Sequence, residues 1–146
     1  MNFVERKTAT STIKVRETHI PSVEITREAL NKMFLFTKEI TDEVGWLGTA
    51  YREGNVITIK DVYLLSQQVH ATTTEITPEG LTAFAEELLL LEDGVEIWNN
   101  LKMWGHSHVN MGISPSGQDN SQMEVFANSG HDFFIRLICN KKGELA

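Results

Sequence analysis

Residues 103–122 read MWGHSHVNMGISPSGQDNSQ. His106 and His108 stand one residue apart, at the end of a run whose alternation predicts a strand, LKMWGHSH. Side chains two apart in a strand share a face, so both imidazoles project the same way. Two neutral imidazoles so placed make half of a site for Zn²⁺. Asp119, beyond a loop that Gly112, Pro115 and Gly117 allow to bend back, can supply a third ligand. Each half also has a plain reading. An H-x-H pair is usually two surface or satisfied histidines, and Ser116-x-x-Asp119 resembles a capping box opening the helix QDNSQMEVF. The joint spacing, H-x-H then seven residues then S-x-x-D, is much rarer than either half.

Working outward from this stretch, the chain alternates elements. TIKVRETHI (12–20) alternates as a strand. TREALNKMFLFTKEIT (26–41) predicts a helix capped by Thr26, with Leu30, Met33, Phe34 and Ile40 as its apolar positions. EVGWLGTAYREGNVITIKDVYLLS (43–66) predicts a hairpin turning at Glu53-Gly54-Asn55, and HATTTEI (70–76) is extended. TPEGLTAFAEELLLLEDG (77–94) predicts one helix, with Thr77 as cap, Pro78 in the first turn, Leu81, Phe84, Leu88 and Leu91 as its apolar positions, and Gly94 at its end. After the histidine strand come a loop, a short helix ending at Gly130, and an apolar strand, DFFIRLICN (132–140). NKKGELA reads as a turn and the first residues of a returning strand, so the chain is expected to be a fragment or to close its sheet unusually. The expected fold is α/β (α+β): a mixed β-sheet flanked by helices, in a single domain spanning 1–146 with the first ten residues flexible.

The bulk numbers fit this and exclude alternatives. At 146 residues, 41% hydrophobic and 23% charged, the chain is an ordinary single-domain globular protein. Its net charge of −7 argues against a nucleic-acid partner. No apolar run reaches the length of a membrane span, and no signal-peptide core opens the chain, so a cytoplasmic location is expected. Cys139 is the single cysteine and reads as a small buried side chain. Trp46, Trp98 and Trp104 are expected to pack the core, with Trp104 beneath the histidine strand. His19, His70 and His131 have no partner at ligand spacing, and Glu39 and Glu53 read as solvated. The threonine-rich segment 66–80 offers an edge for an extended peptide, or is simply an exposed edge strand.

The stretch HSHVNMGISPSGQD resembles the JAMM (MPN+, or JAB-domain) zinc metallopeptidase signature, H-[ST]-H, seven residues, S-x-x-D, with no change of spacing. The family also carries a glutamate upstream at a strand start, in a context like E-[VI]-x-G-x-L-x-G. Here EVGWLGTA supplies Glu43, with Gly45 one place earlier than usual and Leu47 and Gly48 close to their familiar places. The resemblance spans roughly residues 20 to 145, and Val109 stands where the family often has proline.

The resemblance implies a cytidine-deaminase-like JAB/MPN fold and a prokaryotic or phage-type member. It implies Zn²⁺ held by His106, His108 and Asp119, Glu43 as the general base, and Ser116 as the donor to the oxyanion. The implied reaction is hydrolysis of an amide or isopeptide bond in a protein or peptide, including the C-terminal tail of a ubiquitin-like protein. Two other readings keep the fold: a metal-free MPN-type scaffold in a larger assembly, and a RadC-like JAB protein. The first disagrees with the retention of every ligand, and the acid balance disagrees with direct DNA contact by the second.

Overall fold

The computed structural model describes residues 4–8, 11–15, 20–40, 42–65, 67–69, 74–108, 120–121, 123–124 and 130–146. Its centre is a five-stranded mixed sheet flanked by helices, an α+β arrangement. In chain order the elements are β1 (Val4–Thr8), β2 (Ser11–Val15), β3 (Ser22–Ile25), α1 (Arg27–Glu39), β4 (Gly45–Glu53), β5 (Val56–Leu64), β6 (Gln67–Val69), β7 (Thr74–Ile76), α2 (Pro78–Leu89), α3 (Gly94–Asn99), β8 (Leu101–His108) and β9 (Ile135–Asn140). The sheet order is β3-β5-β4-β8-β9. The two outer pairs, β3–β5 and β8–β9, are parallel; the inner pairs are antiparallel. Two small antiparallel pairs, β1–β2 and β6–β7, form separate two-stranded sheets.

The hairpin of β4 and β5 forms where the alternation predicts it. Gly54 takes φ +60° at the turn, a left-handed conformation that glycine adopts without Cβ strain. Two further caps also form as predicted: the Thr26 hydroxyl accepts from the Ala29 amide, and the Thr77 hydroxyl from the Gly80 amide. Each satisfies one amide that a helix start leaves without a carbonyl.

Several expectations change. Alternation predicts a strand over 12–20; β2 forms its first part and pairs with β1, in a region where no element is expected, residues 16–19 lie outside the described residues, and Ile20 is in no strand. A separate strand, β3, runs parallel to β5. On α1, Met33 is buried and Leu30 packs against the core as predicted, but Ala29 and Thr37 complete the inner stripe, with Phe34 only partly covered. The single helix predicted over 77–94 is two helices. α2 stops at Leu89, the chain turns, and Gly94 begins α3 instead of ending α2. The reason is local. A Cβ on Gly94 would stand 1.7 Å from the Leu88 carbonyl oxygen, so only glycine lets the chain fold back so tightly. In consequence Leu91, expected on the apolar face, is 52% exposed, and Trp98, expected in the core, is 42% exposed.

The sheet separates two cores. On one face α1 covers Met33, Val44, Trp46, Ala50, Ile59, Met103, Leu137 and Cys139. On the other, α2 and α3 cover Leu47, Phe84, Leu88, Ile97, Leu101 and Trp104. Leu101 and Met103 are two apart yet belong to opposite cores, because the register of β8 on β4 shifts between Gly48 and Thr49 and leaves Lys102 as an extra residue. Such a bulge re-aims every later side chain of the strand. It sets Trp104, and after it His106 and His108, on the α2 side.

The apolar strand before the C-terminus is β9, and the predicted turn and return follow it. Gly143 takes φ +82°, Ala146 and Ile138 exchange backbone hydrogen bonds of 2.9 and 2.8 Å, and Cys139 bridges Leu145 in antiparallel fashion. Among the described residues no helix is long and apolar enough to cross a membrane.

Candidate active site

Polar side chains are seldom fully buried unless something holds them. The buried polar residues here are Thr37, Glu43, Thr49, His106, Ser107, His108 and Asn140. Five of the seven, Glu43, His106, Ser107, His108 and Asn140, gather at one end of the sheet. Gly45 pairs with His106 on one side of β8, and Asn140 pairs with His108 on the other.

The two imidazoles meet as their i, i+2 spacing requires. Their Nε2 atoms lie 3.1 Å apart, and their ring centroids 4.9 Å apart. Trp104, two residues earlier on the same face, stacks on His106 with centroids 4.5 Å apart and planes 23° from parallel. The indole therefore forms the floor of the pair, where the sequence places it. The strand must also pass close to its neighbour. A Cβ at Gly105 would lie 2.0 Å from the Trp46 indole nitrogen, so Gly105 admits that ring between the layers.

Glu43 reaches this end from 63 residues upstream of His106. It lies just before β4, is 2% exposed, and brings Oε1 within 4.0 Å of His108 Nε2. Two side chains fix the segment that carries it. Ser107, between the histidines, accepts a 3.0 Å hydrogen bond from the Val44 amide through Oγ, and its own amide donates 2.9 Å to the Val44 carbonyl. Gln67 holds Gly45 from the other side. Its Oε1 accepts from the Gly45 amide at 2.6 Å, and its Nε2 donates to the Gly45 carbonyl at 2.7 Å and the Leu65 carbonyl at 2.9 Å. β5 ends at Leu64, so the Gln67 amide takes the place that a continuing strand's peptide would fill. Ser107 is visible in the sequence only as the residue between two histidines. Gln67 carries no local signal, because its partner is a backbone far away in the chain.

On the far side, Asn140 is tied into the C-terminal turn. Its Oδ1 accepts from the amides of Lys142 and Glu144 at 3.0 and 3.1 Å, and its Nδ2 donates to Glu144 Oε1 at 2.9 Å. Cys139 is fully buried, with its sulfur 3.0 Å from the Thr37 hydroxyl. Burial pushes its thiol pKa up, which keeps it protonated and suits the small-side-chain reading.

Of the residues singled out in the sequence, the fold brings Glu43, His106 and His108 together. Ser116 and Asp119 lie outside the described residues. Of the helix expected after them, Asn120, Ser121, Met123 and Glu124 are described and helical, and Asn120 accepts a 2.7 Å hydrogen bond from Arg136 on β9. Among the described residues no group of three His, Cys, Asp or Glu is placed to hold a metal. The Nε2 atoms of the pair lie at hydrogen-bond distance from each other, and their separation can be set beside the one a shared metal would impose. Two nitrogens each about 2.0–2.1 Å from a tetrahedral zinc stand roughly 3.3–3.4 Å apart. The 3.1 Å between the Nε2 atoms is close to that span. Glu39 and Glu53, which read as solvated in the sequence, are exposed as expected.

A cavity of about 470 Å³ opens elsewhere, among Thr26, Lys32, Thr49, Tyr51, Asp61 and Tyr63. Burial, with Asp61 nearby, pushes the Tyr63 phenol up to about 12. None of the residues predicted for the site lines it.

No family model matches the chain, and none of the curated proteins compared with it does either.

Proposed function

We propose that the chain is a zinc-dependent peptidase or isopeptidase of the JAMM type, in which His106, His108 and Asp119 hold the metal. The observation that carries this is the buried trio: two imidazole Nε2 atoms 3.1 Å apart with a buried carboxylate oxygen 4.0 Å from one of them. A buried carboxylate facing two histidines has a cost that an ordinary core does not incur. A cation between the groups offsets it.

Zinc, when bound, supplies a Lewis acid that polarises a carbonyl and lowers the pKa of water to about 7. The rest falls to the chain's own side chains. Glu43 takes a proton from the attacking water and delivers it to the leaving amine. Ser116, assigned by the resemblance alone, donates to the oxyanion that develops on the substrate carbonyl. Trp104 and Ser107 keep His106 and the Glu43 segment in place. The substrate is an amide or isopeptide bond in a protein or peptide, with the flexible C-terminal tail of a ubiquitin-like protein as the class the resemblance implies.

Two measurements test the proposal together. Metal analysis after zinc loading should give one zinc per chain, and none in His106→Ala, His108→Ala or Asp119→Ala. Hydrolysis of a fluorogenic amide on a ubiquitin-like tail should fall by about 100- to 10,000-fold in Glu43→Gln, the span expected for losing a general base, while zinc content stays the same. A wild-type chain that binds no zinc would sink the proposal. An active Glu43→Gln variant would remove Glu43 from its role.

A further inference from the structure

Of the ten large apolar side chains that the described residues expose, five lie within residues 89–98: Leu89 at 76%, Leu90 at 87%, Leu91 at 52%, Val95 at 67% and Trp98 at 42%. They are neighbours because Gly94 folds α3 directly onto the end of α2. Between the two helices runs a shallow groove of about 190 Å³, lined by Ala85, Leu88, Leu89, Gly94, Val95 and Trp98. A contiguous apolar patch on an otherwise polar surface marks a docking site more often than a scatter of single residues does.

Charge identifies the occupant. Between Lys60 and Lys102 the chain has no lysine or arginine, and it has eight acids, Asp61, Glu75, Glu79, Glu86, Glu87, Glu92, Asp93 and Glu96. Asp93 and Glu96 line the 470 Å³ cavity with Lys32 and Lys60, whereas Glu86, Glu87 and Glu92 are exposed on α2 and the turn that follows it. A second copy of this face would bring the carboxylates of Glu86, Glu87 and Glu92 up to their own counterparts, and like charges across an interface oppose association. An anionic membrane meets the same repulsion. The complementary surface is apolar in the middle and cationic at its edges.

We infer that the α2–α3 groove binds an amphipathic helix of a partner protein, whose leucine-like side chains enter the groove and whose lysines or arginines meet the exposed carboxylates of Glu86, Glu87 and Glu92. Trp98, half out of the core and at the groove wall, is the anchor; exposed aromatics in such positions carry a large share of binding energy. The inference is independent of the zinc proposal.

The test uses the full chain and three synthetic peptides of equal length. The first is an amphipathic helix of leucine and lysine. The second is the same helix with glutamate for lysine. The third is a scramble of the first that keeps composition but loses amphipathicity. The first should bind saturably at one per chain and shift the emission of Trp98, and about 0.5 M salt should weaken it several-fold. The glutamate and scrambled peptides should bind at least about tenfold more weakly. Leu89→Gln and Val95→Gln, which leave the charge unchanged, should each weaken binding by about tenfold. Amide chemical-shift mapping on the wild-type chain gives a reading that needs no variant, and the shifts should cluster on residues 85–98. Equal binding of the scrambled peptide, shifts located elsewhere, or no binding at all would overturn the inference. So would concentration-dependent dimerisation of the chain alone that Leu89→Gln abolishes, because the occupant would then be a second copy.

Discussion

Two regions of this molecule depart from the ordinary partition of residues, in opposite directions. At the end of β8, two histidines, a serine, an asparagine and a glutamate are buried to within about 2% exposure. At the turn between α2 and α3, three leucines, a valine and a tryptophan face solvent. Burying a polar group costs free energy unless it is hydrogen-bonded, so the first region needs a scaffold, and it has one: Ser107 and Gln67 hold the backbone on either side of Glu43, and Trp104 lies under His106. Exposing apolar surface needs no scaffold. It needs only a tight turn, which Gly94 provides. The buried polar site is therefore expected to be intolerant of change in both stability and activity. The exposed apolar face should tolerate change in stability, with the penalty appearing only in what binds there.

The two tryptophans put this contrast to its hardest test. Trp104 is 3% exposed within the α2-side core and stacked on His106, so Trp104→Ala should cost about 3–5 kcal/mol, as expected for emptying a large buried site. Trp98, 42% exposed, should cost about 1–2 kcal/mol on the same substitution, because only part of its ring leaves water on folding. Denaturant melts of the two variants check the pair. Equal losses would mean that the α2–α3 face is structural core, and would break the comparison.

A smaller change sharpens it on the polar side. Ser107→Ala removes the acceptor of the Val44 amide, which is buried beside Glu43. An orphaned buried donor costs about 1–3 kcal/mol. The same loss frees the segment that carries Glu43, so the proposed hydrolysis should fall by more than the stability change explains, measured at a temperature where the variant remains folded. A fall in stability with no change in turnover would show that Ser107 holds the sheet and not the base.

How much of this is legible in the sequence depends on the range of the signal. The two histidines, their common face and the tryptophan beneath them follow from strand alternation over five residues. The caps at Thr26 and Thr77, the hairpin at Gly54 and the returning turn at Gly143 are likewise local, and each forms where it is expected. The failures are tertiary. Strand β3 is short and exposed at three of its four residues, with no alternation to betray it; its parallel partner lies some thirty residues on. Gly94 reads as a helix end because glycine usually is one, while here its backbone contact with Leu88 lets a second helix begin. That one misreading buries Leu91 and Trp98 on paper, and so hides the apolar face. Gln67 is invisible for the same reason, since its partner is a peptide group that only the fold brings near. Glu43 can be reached from the sequence through the resemblance, and its burial is what the fold adds.

The smallest expected effect is also the most discriminating. Leu90 is 87% exposed, just past the last residue of α2, so Leu90→Gln removes apolar area that water already reaches. Its stability should change by no more than about 0.5 kcal/mol, in either direction. A leucine in the core, such as the Leu88 two residues earlier at 3% exposure, would lose on the order of 2–5 kcal/mol when truncated to alanine. Thermal melts of the two variants side by side would then separate a face that merely lacks a partner from one that another part of the chain covers. If Leu90→Gln destabilised the protein as Leu88→Ala does, the leucine would be packed in solution, and the apolar face would be filled from within the chain instead of standing open to a second protein.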